Sequence, residues 1–328
     1  MMSTLLNADA RPETSPRMAR RIAIGDHIPL LVLAVLCVAA TLISDRFLTA
    51  VNLSNVLLQA SILAVLAIGM TFVVINGGFD LSVGSTAALA GCLGALVTFE
   101  SGAAAGIAVA VATGCLVGLV NGIIVAKLRV SPLIATLGTM VLVRGVVLLV
   151  TDGAPVQAMD DIDRVFVMMG TGRFLGIPIL PCIVVVVFAV GYWGLHHSAL
   201  GFRVFAVGSN EQAASICGIR VHRVKIAAFT ICGALAGLAG FLLAARLQSG
   251  QPTAGEFYEL TAIAAVVLGG AALKGGEGKL FNSVVGVFIM VLLGNVLNLA
   301  GVGTYWQRVA VGLVIVAAAA ADQLRHRR

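Results

Sequence analysis

The sequence predicts an all-α polytopic membrane protein of about ten transmembrane helices. Three observations predict it. Hydrophobic residues make up 59% of 328 and charged residues 11%, where a soluble domain carries roughly 25% charge. Mean hydropathy is +1.05. The apolar residues fall in runs near the 20 that a helix needs to cross a bilayer, and Lys and Arg gather on one side of those runs. This composition excludes a soluble enzyme, a disordered chain and a nucleic-acid binder. Barrel strands would alternate apolar and polar, whereas Ile183–Val190 is apolar on every side.

Taken in order, the expected spans are 28–44, 56–75, 81–99, 103–126, 132–150, 179–195, 226–245, 259–273, 280–298 and 306–321. Residues 1–27 and 323–328 are tails, and 28–322 form a single transmembrane domain. Arg20 and Arg21 precede the first run, but Asp26 and His27 intervene and no cleavage site follows, so that span is expected to be retained. The region 76–100 and the glycine-rich stretch 255–280 have the least definite span boundaries.

With the N-terminus inside, one face collects Arg11, Arg17, Arg20, Arg21, Lys127, Arg129, Arg203, Arg220, Arg223, Lys225, Lys274, Lys279, Arg325, Arg327 and Arg328. These are fifteen of the 21 basic residues. The net charge of +6 is therefore a topology signal that places both termini in the cytoplasm. The loop 151–178 falls outside and the loop 196–225 inside.

Small residues let membrane helices approach closely. Gly114, Gly118 and Gly122 recur every four residues, as do Gly233 and Gly237, with Gly240 near, and these read as tight helix crossings. Gly77-Gly78-x-x-Leu81-x-x-Gly84 echoes Gly269-Gly270-x-x-Leu273-x-x-Gly276. Repeats of this kind build many transporters, although glycine-rich chains produce such echoes by chance as well.

Few ionisable groups lie in the spans. Asp80 has two readings: an N-cap for the helix starting at Leu81, or an intramembrane charge with a functional role. Arg144 also has two, snorkelling or pairing with an outer acid, or a substrate contact. The cysteines (Cys37, Cys92, Cys115, Cys182, Cys217, Cys232) show no C-x-x-C pair, and the histidines no metal spacing. No Asp/Glu/His proton relay appears. Gly275-Gly276-Glu277-Gly278-Lys279-Leu280 is not a phosphate-binding loop, because the G-x-x-x-x-G-K-[ST] spacing fails. No catalytic set emerges, so the chain is not expected to be an enzyme. It is either a passive pore or a subunit driven by another protein.

The inner loop 196–225 holds the clearest local signal. Asn210 is a plausible N-cap before Glu211, and Gly218 a helix stop. A short helix there suits partner docking; the alternative is an ordinary solvated loop.

At this loop the sequence resembles ribose-type ABC sugar importer permeases, the inner-membrane subunits of binding-protein-dependent monosaccharide transport. The segment Gly201-Phe202-Arg203, Ala206-Val207-Gly208-Ser209-Asn210-Glu211-Gln212-Ala213-Ala214 and Gly218-Ile219 is similar to that family's cytoplasmic loop. So are Asn52–Leu57, Gly69–Thr71, Gly77–Ser85, Asn121-Gly122, Pro132–Met140, Arg144-Gly145, Gly250–Pro252, Gly255 and Tyr258–Leu260. The resemblance implies a type II ABC importer permease fold in the bacterial inner membrane, working as a pair of permease subunits. It implies that an ABC ATPase, which binds ATP and Mg, docks inside, and that a periplasmic sugar-binding protein docks outside against 151–178 and 246–258. No cofactor is expected on this chain. The coupling contact would be Ser209, Asn210, Glu211, Gln212, Ala213, Ala214, Gly218 and Ile219. Polar residues near span ends and interiors form the candidate pathway: Asn76, Asp80, Ser82, Ser85, Thr136, Thr139 and Asn295. The sugar is expected to be of the ribose, xylose, arabinose or galactose kind. The alternatives are a branched-chain amino acid permease of related architecture and a self-contained secondary transporter.

Overall fold

The computed structural model describes residues 27–158 and 162–326, with side chains through 320. The expected N-terminal tail falls outside the described residues apart from His27, as do Asp160 and Asp161 of the 151–178 loop.

The described chain is helical: α1 (Ile28–Ile43), α2 (Ala50–Ile75), α3 (Val83–Ser101), α4 (Ala103–Ala126), α5 (Pro132–Thr151), α6 (Arg164–Thr171), α7 (Ile179–His196), α8 (Ala199–Ser209), α9 (Glu211–Ile216), α10 (Val221–Leu247), α11 (Tyr258–Leu268), α12 (Leu280–Leu299) and α13 (Thr304–His326). Seven of these (α2, α3, α4, α5, α7, α10 and α12) are long and apolar enough to cross a membrane. The expected spans 28–44, 259–273 and 306–321 fall on shorter apolar helices: α1 with 16 residues, α11 with 11, and Thr304–Ala320 of α13. The described strands are β1 (Arg173–Phe174) and β2 (Ile177–Pro178), an antiparallel hairpin. Its turn residues Leu175 and Gly176 both have positive φ, as a two-residue hairpin loop requires.

The bundle is built around α2. In its most apolar stretch 89% of residues are buried, against 11% for α7. A helix apolar on every face belongs inside, and past Gln59 the polar side chains of α2 are Ser61 and Thr71, each donating to a carbonyl of its own helix. Around it pack α10, α12, α11 and α7, while α3, α4 and α5 extend the bundle on one side.

The expected glycine crossings join α4 to α10. A Cβ on Gly114 would collide with the carbonyl of Gly233, one on Gly118 with that of Phe229, and one on Gly237 with that of Ala110. Gly240 meets Ala87 of α3 in the same way. Backbones this close gain dispersion contacts that lipid cannot supply.

The glycine echo marks two equivalent helix ends, in a shifted register. At the end of α2, Gly78 N–H donates to Val73 O and Gly77 N–H to Val74 O, both at 2.9 Å. At the end of α11, Ala271 N–H donates to Val266 O at 3.2 Å and Gly270 N–H to Val267 O at 2.8 Å. Both are Schellman stops with the left-handed residue at Gly77 (φ 81) and Gly270 (φ 88). Gly77 therefore corresponds to Gly270, one position off the match between Gly77 and Gly269. This stop also ends α11 at Leu268, short of the expected boundary at 273.

An 11-residue helix rises about 16 Å, roughly half the hydrocarbon core. The irregular segment 248–257 leads into this half-length helix, and the two together form a broken span. Non-helical backbone is tolerated at membrane depth only where protein satisfies it. Here Val156 and Gly250 exchange two backbone hydrogen bonds of 2.8 Å, and Arg144 donates to the carbonyls of Pro252 and Ala254. Gly255 packs against the backbone of Gly84. Arg308 lies over the Phe257 ring, 5.5 Å from its centroid.

Candidate functional site

The loop 196–225 folds into two helices. Ser198 caps α8 by accepting from Gly201 N–H at 3.1 Å. Asn210 then caps α9, its Oδ1 accepting from Ala213 N–H at 2.9 Å, as the sequence suggests. The exit is a third Schellman stop: Ile219 N–H donates to Ala214 O and Gly218 N–H to Ser215 O, both at 3.0 Å, with Gly218 at φ 82. Ala214 is the buried residue of α9 and anchors it. Glu211 forms a 2.6 Å ion pair with Lys225 at the start of α10. Ser209, Gln212 and Ala213 are exposed, and Ile219 is half-buried.

One residue missing from the expected set stands out. Ile216, the last residue of α9, is 88% exposed. Single exposed apolar residues are common; this one sits on a helix that is capped at both ends and tethered through Ala214 and the Glu211–Lys225 pair. Its pattern signal is weak because a single Ile in a polar segment has no periodicity.

The helix is connected to the core through its neighbour. Gly208, near the end of α8, sits against the carbonyl of Ile75 and the N–H of Gly276. Gly276 N–H donates to Ile75 O at 2.8 Å. Gly275 approaches the Gly77 backbone so closely that a Cβ would lie 2.8 Å from it. The ends of α2 and α8 thus meet Gly275 and Gly276 of the loop between α11 and α12 at one backbone junction, beside α9.

The expected pathway residues divide into two places. Asp80, Ser82, Ser85 and Thr136 are buried together near the junction. Asp80 is not the N-cap of α3; that position is Ser82. Instead Asp80 Oδ1 closes an Asx-turn, accepting from Ser82 N–H at 2.9 Å and Ser82 Oγ at 2.6 Å. Asn121 of α4 donates to Asp80 Oδ1 at 3.3 Å and to Ser82 Oγ at 2.8 Å. Ser85 Oγ donates to Ser82 O at 2.9 Å, and Thr136 Oγ to Pro132 O at 2.8 Å and Phe79 O at 3.4 Å. Asn121, 0% exposed, belongs to this cluster and completes it across 41 residues of sequence. Asn76 is buried beside the α2 stop. Its Nδ2 and the Oδ1 of Asn121 have no hydrogen-bond partner among the described residues. Thr139 is half-buried and donates to Ala135 O at 3.0 Å. Asn295 lies elsewhere, in a reciprocal amide pair with Asn52 at 3.1 and 2.7 Å.

Arg144 is held by backbone carbonyls, with Glu256 and Glu259 within electrostatic reach. It does not stand free, and the two acids beside it are outer acids of the kind the sequence reading pairs with it. It supplies the donors that the broken span lacks. Among the described residues no cluster of three or more His, Cys, Asp or Glu could hold a metal ion.

A buried central helix, a broken span and a surface helix tied to both make up the membrane part of a solute transporter. The chain belongs to the family described as branched-chain amino acid transport system / permease component, whose model matches residues 52–319. It is 45% identical over 295 residues to the ribose import permease protein RbsC of Escherichia coli strain K12, covering 89% of this chain and 92% of the relative. It is 42% identical over 296 residues to the ribose import permease protein of Bacillus subtilis strain 168, covering 90% and 92%. The L-arabinose transport system permease protein AraH of Escherichia coli K12 is 36% identical over 329 residues, covering 100% and 98%. No solved structure matches the chain.

Proposed function

We propose that this chain is the membrane permease subunit of an ATP-driven ABC importer that moves a monosaccharide of the ribose or arabinose kind into the cell. The observation that carries the reading is the capped helix α9, presenting Ile216 outward while its neighbour α8 meets the end of α2 and the 275–276 stretch of the α11–α12 loop at one junction. The names of the sugar-permease relatives favour a sugar over a branched-chain amino acid. Nucleotide and Mg bind a separate ATPase that docks on Ser209–Ala214 and Ile216. The N-terminus and the 196–225 loop face the cytoplasm of a bacterial inner membrane. A periplasmic binding protein meets the 151–178 and 246–258 segments, which the Val156–Gly250 bridge joins. Two copies of the chain pair through α5, whose face bears exposed Leu137, Val141 and Leu142, with open space at Gly138 and Gly145.

Transport follows from this arrangement. ATP-driven closure of the ATPase pair moves α9. The junction passes that motion to α2 and to α11, and the broken span shifts against α3 and α5. The Asp80–Ser82–Asn121 cluster holds the start of α3 to α4 during the shift. The test is uptake of labelled ribose, arabinose, xylose, galactose and leucine by cells carrying the full importer. Saturable uptake of a monosaccharide is expected; uptake of leucine alone would replace the sugar reading with the amino acid one.

A further inference from the structure

The broken span carries charge at an unusual depth. Glu256 and Arg308 are exposed, and neither forms an ion pair among the described residues. Two counts along the helices give their level. Arg144, which holds the carbonyls of Pro252 and Ala254, lies about 18 Å along α5 from its start at Pro132. Phe257, the N-cap of α11, lies about 16 Å from the end of that helix at Leu268. Both counts begin on the side where α2 ends. Thr136 Oγ donates to Phe79 O at 3.4 Å, and Gly275 of the α11–α12 loop packs on Gly77. In a hydrocarbon core of about 30 Å, residues 256–257 therefore sit near the middle, at the deep end of the outer segment 246–258. Arg308 shares that level, because its guanidinium lies 5.5 Å from the centroid of the Phe257 ring. Charged side chains at such depth face a water-filled cavity rather than lipid, and mark solute paths.

The backbone of Phe257 is a second, independent sign. Its φ of 65° is a left-handed conformation that a bulky residue rarely adopts and that glycine adopts freely. The surroundings hold it there. Phe257 O accepts from Thr261 N–H at 3.1 Å and from Thr261 Oγ at 2.9 Å. The Glu259 carboxylate reaches back to the N–H groups of Phe257 and of Glu259 itself. A Cβ on Gly84 would collide with Glu259 Oε2, so that carboxylate is wedged in place. Strain fixed this firmly, at a position that suits glycine, points to a use for the side chain. The ring is 52% exposed even with Arg308 over it. The buried Asp80–Ser82–Asn121 cluster, by contrast, directs its hydrogen bonds inward.

We propose that Glu256, Phe257 and Arg308 form a transit subsite for a monosaccharide about half-way along its path. The inference rests on the sugar-import reading and supplies contacts for that path. A monosaccharide has an apolar face of C–H groups and a rim of hydroxyls. The open part of the Phe257 ring receives the apolar face. Each hydroxyl both donates and accepts, so one donates to the Glu256 carboxylate and another accepts from the Arg308 guanidinium. The segment is braced by α5, the helix assigned to pairing, so the subsite opens beside the boundary between two copies. Three half-open contacts hold a solute weakly, as a site that passes it onward must.

The test uses the full importer in lipid vesicles: this chain, its ATPase and the loaded binding protein. Entry of labelled ribose or arabinose and hydrolysis of ATP are measured together. Phe257→Gly removes the ring at a φ that glycine favours, so the fold is kept. Sugar moved per ATP is expected to fall about tenfold, the factor that about 1.4 kcal/mol of lost ring contact gives, with stimulated ATP hydrolysis within about twofold of the parent's. Phe257→Tyr keeps the ring and should transport as the parent does. An unchanged ratio of sugar to ATP in F257G would overturn the proposal, as would an equal loss in F257Y. So would lost stimulation of the ATPase with the ratio intact, which would make Phe257 a contact for the binding protein. A parent that moves neither sugar would remove the sugar-import reading and the subsite with it. A parent that moves one of them, with F257G unchanged, would remove the subsite alone.

Discussion

Arg144 Nη1 lies 3.1 Å from the carbonyl oxygen of Ala254, across 110 residues of sequence. With its second bond to Pro252, this one side chain stands in for the helical hydrogen bonds missing from the broken span. Leaving a buried acceptor unpaired costs about 1–3 kcal/mol. Arg144→Ala should therefore lower stability in detergent by roughly 2–5 kcal/mol, read as a reduced midpoint of thermal unfolding. Arg144→Lys should recover only part, because both bonds leave the single planar Nη1 at the tip of a longer side chain, a position and orientation that the shorter, rotating ammonium does not reproduce. An unfolding midpoint for R144A equal to the parent's would show that the loop holds itself.

Glu211→Arg should separate folding from coupling. The ion pair with Lys225 has side chains 57% and 21% exposed, and such pairs contribute about 0–1 kcal/mol. The Asn210 cap and the Gly218 stop remain, so the chain should fold normally. Uptake should fall, and Lys225→Glu in the same chain should restore part of it. If the ATPase still co-purifies with E211R and uptake is unchanged, α9 is not the coupling contact.

Ile216→Asp should abolish co-purification of the ATPase and leave the unfolding midpoint within the small range of surface changes, about 0.5 kcal/mol. Ile216→Val should retain the complex. Retention of the ATPase by I216D would remove Ile216 from the docking surface.

Gly114→Ala and Gly145→Ala make a matched pair. The first drives a methyl into the Gly233 carbonyl, whereas the second meets nothing within 4 Å in one chain. Overpacking costs about 1–3 kcal/mol, so G114A should fold poorly, seen as a low monodisperse yield. G145A should fold as the parent does. Any loss for G145A should appear in dimer content, measured by cross-linking.

Asp80→Ala removes the acceptor for Ser82 N–H, Ser82 Oγ and Asn121 Nδ2 at once. The expected cost is roughly 2–4 kcal/mol from buried donors left unpaired. Asp80→Asn keeps an acceptor oxygen and should lose less than half of that. Equal stability of D80A and D80N would mean that the turn forms without the carboxylate.

Much of this protein can be read along the chain, for a physical reason. Membrane burial, the glycine crossings, the Asn210 cap and the Gly218 stop each depend on residues within a few turns of one another. The same holds for the Gly77 and Gly270 stops, although their registry is settled by φ, and a glycine pattern read one residue off looks equally good in sequence. Asp80 shows the limit of local reading. Its spacing suits a cap, yet Ser82 two residues on captures the carboxylate first.

What the sequence by itself determined is the class of molecule and its local punctuation, because hydropathy and helix-end chemistry are short-range. Tertiary structure alone decided that α2 is central, that Asn295 pairs with Asn52 243 residues away, and that Arg144 braces a broken span. It also decided that Ile216 points into solvent and that Arg308 lies over the Phe257 ring. Each of these depends on which helix faces lie together. In a chain whose helices are apolar on nearly all sides, the pattern along one helix does not say which neighbour it meets.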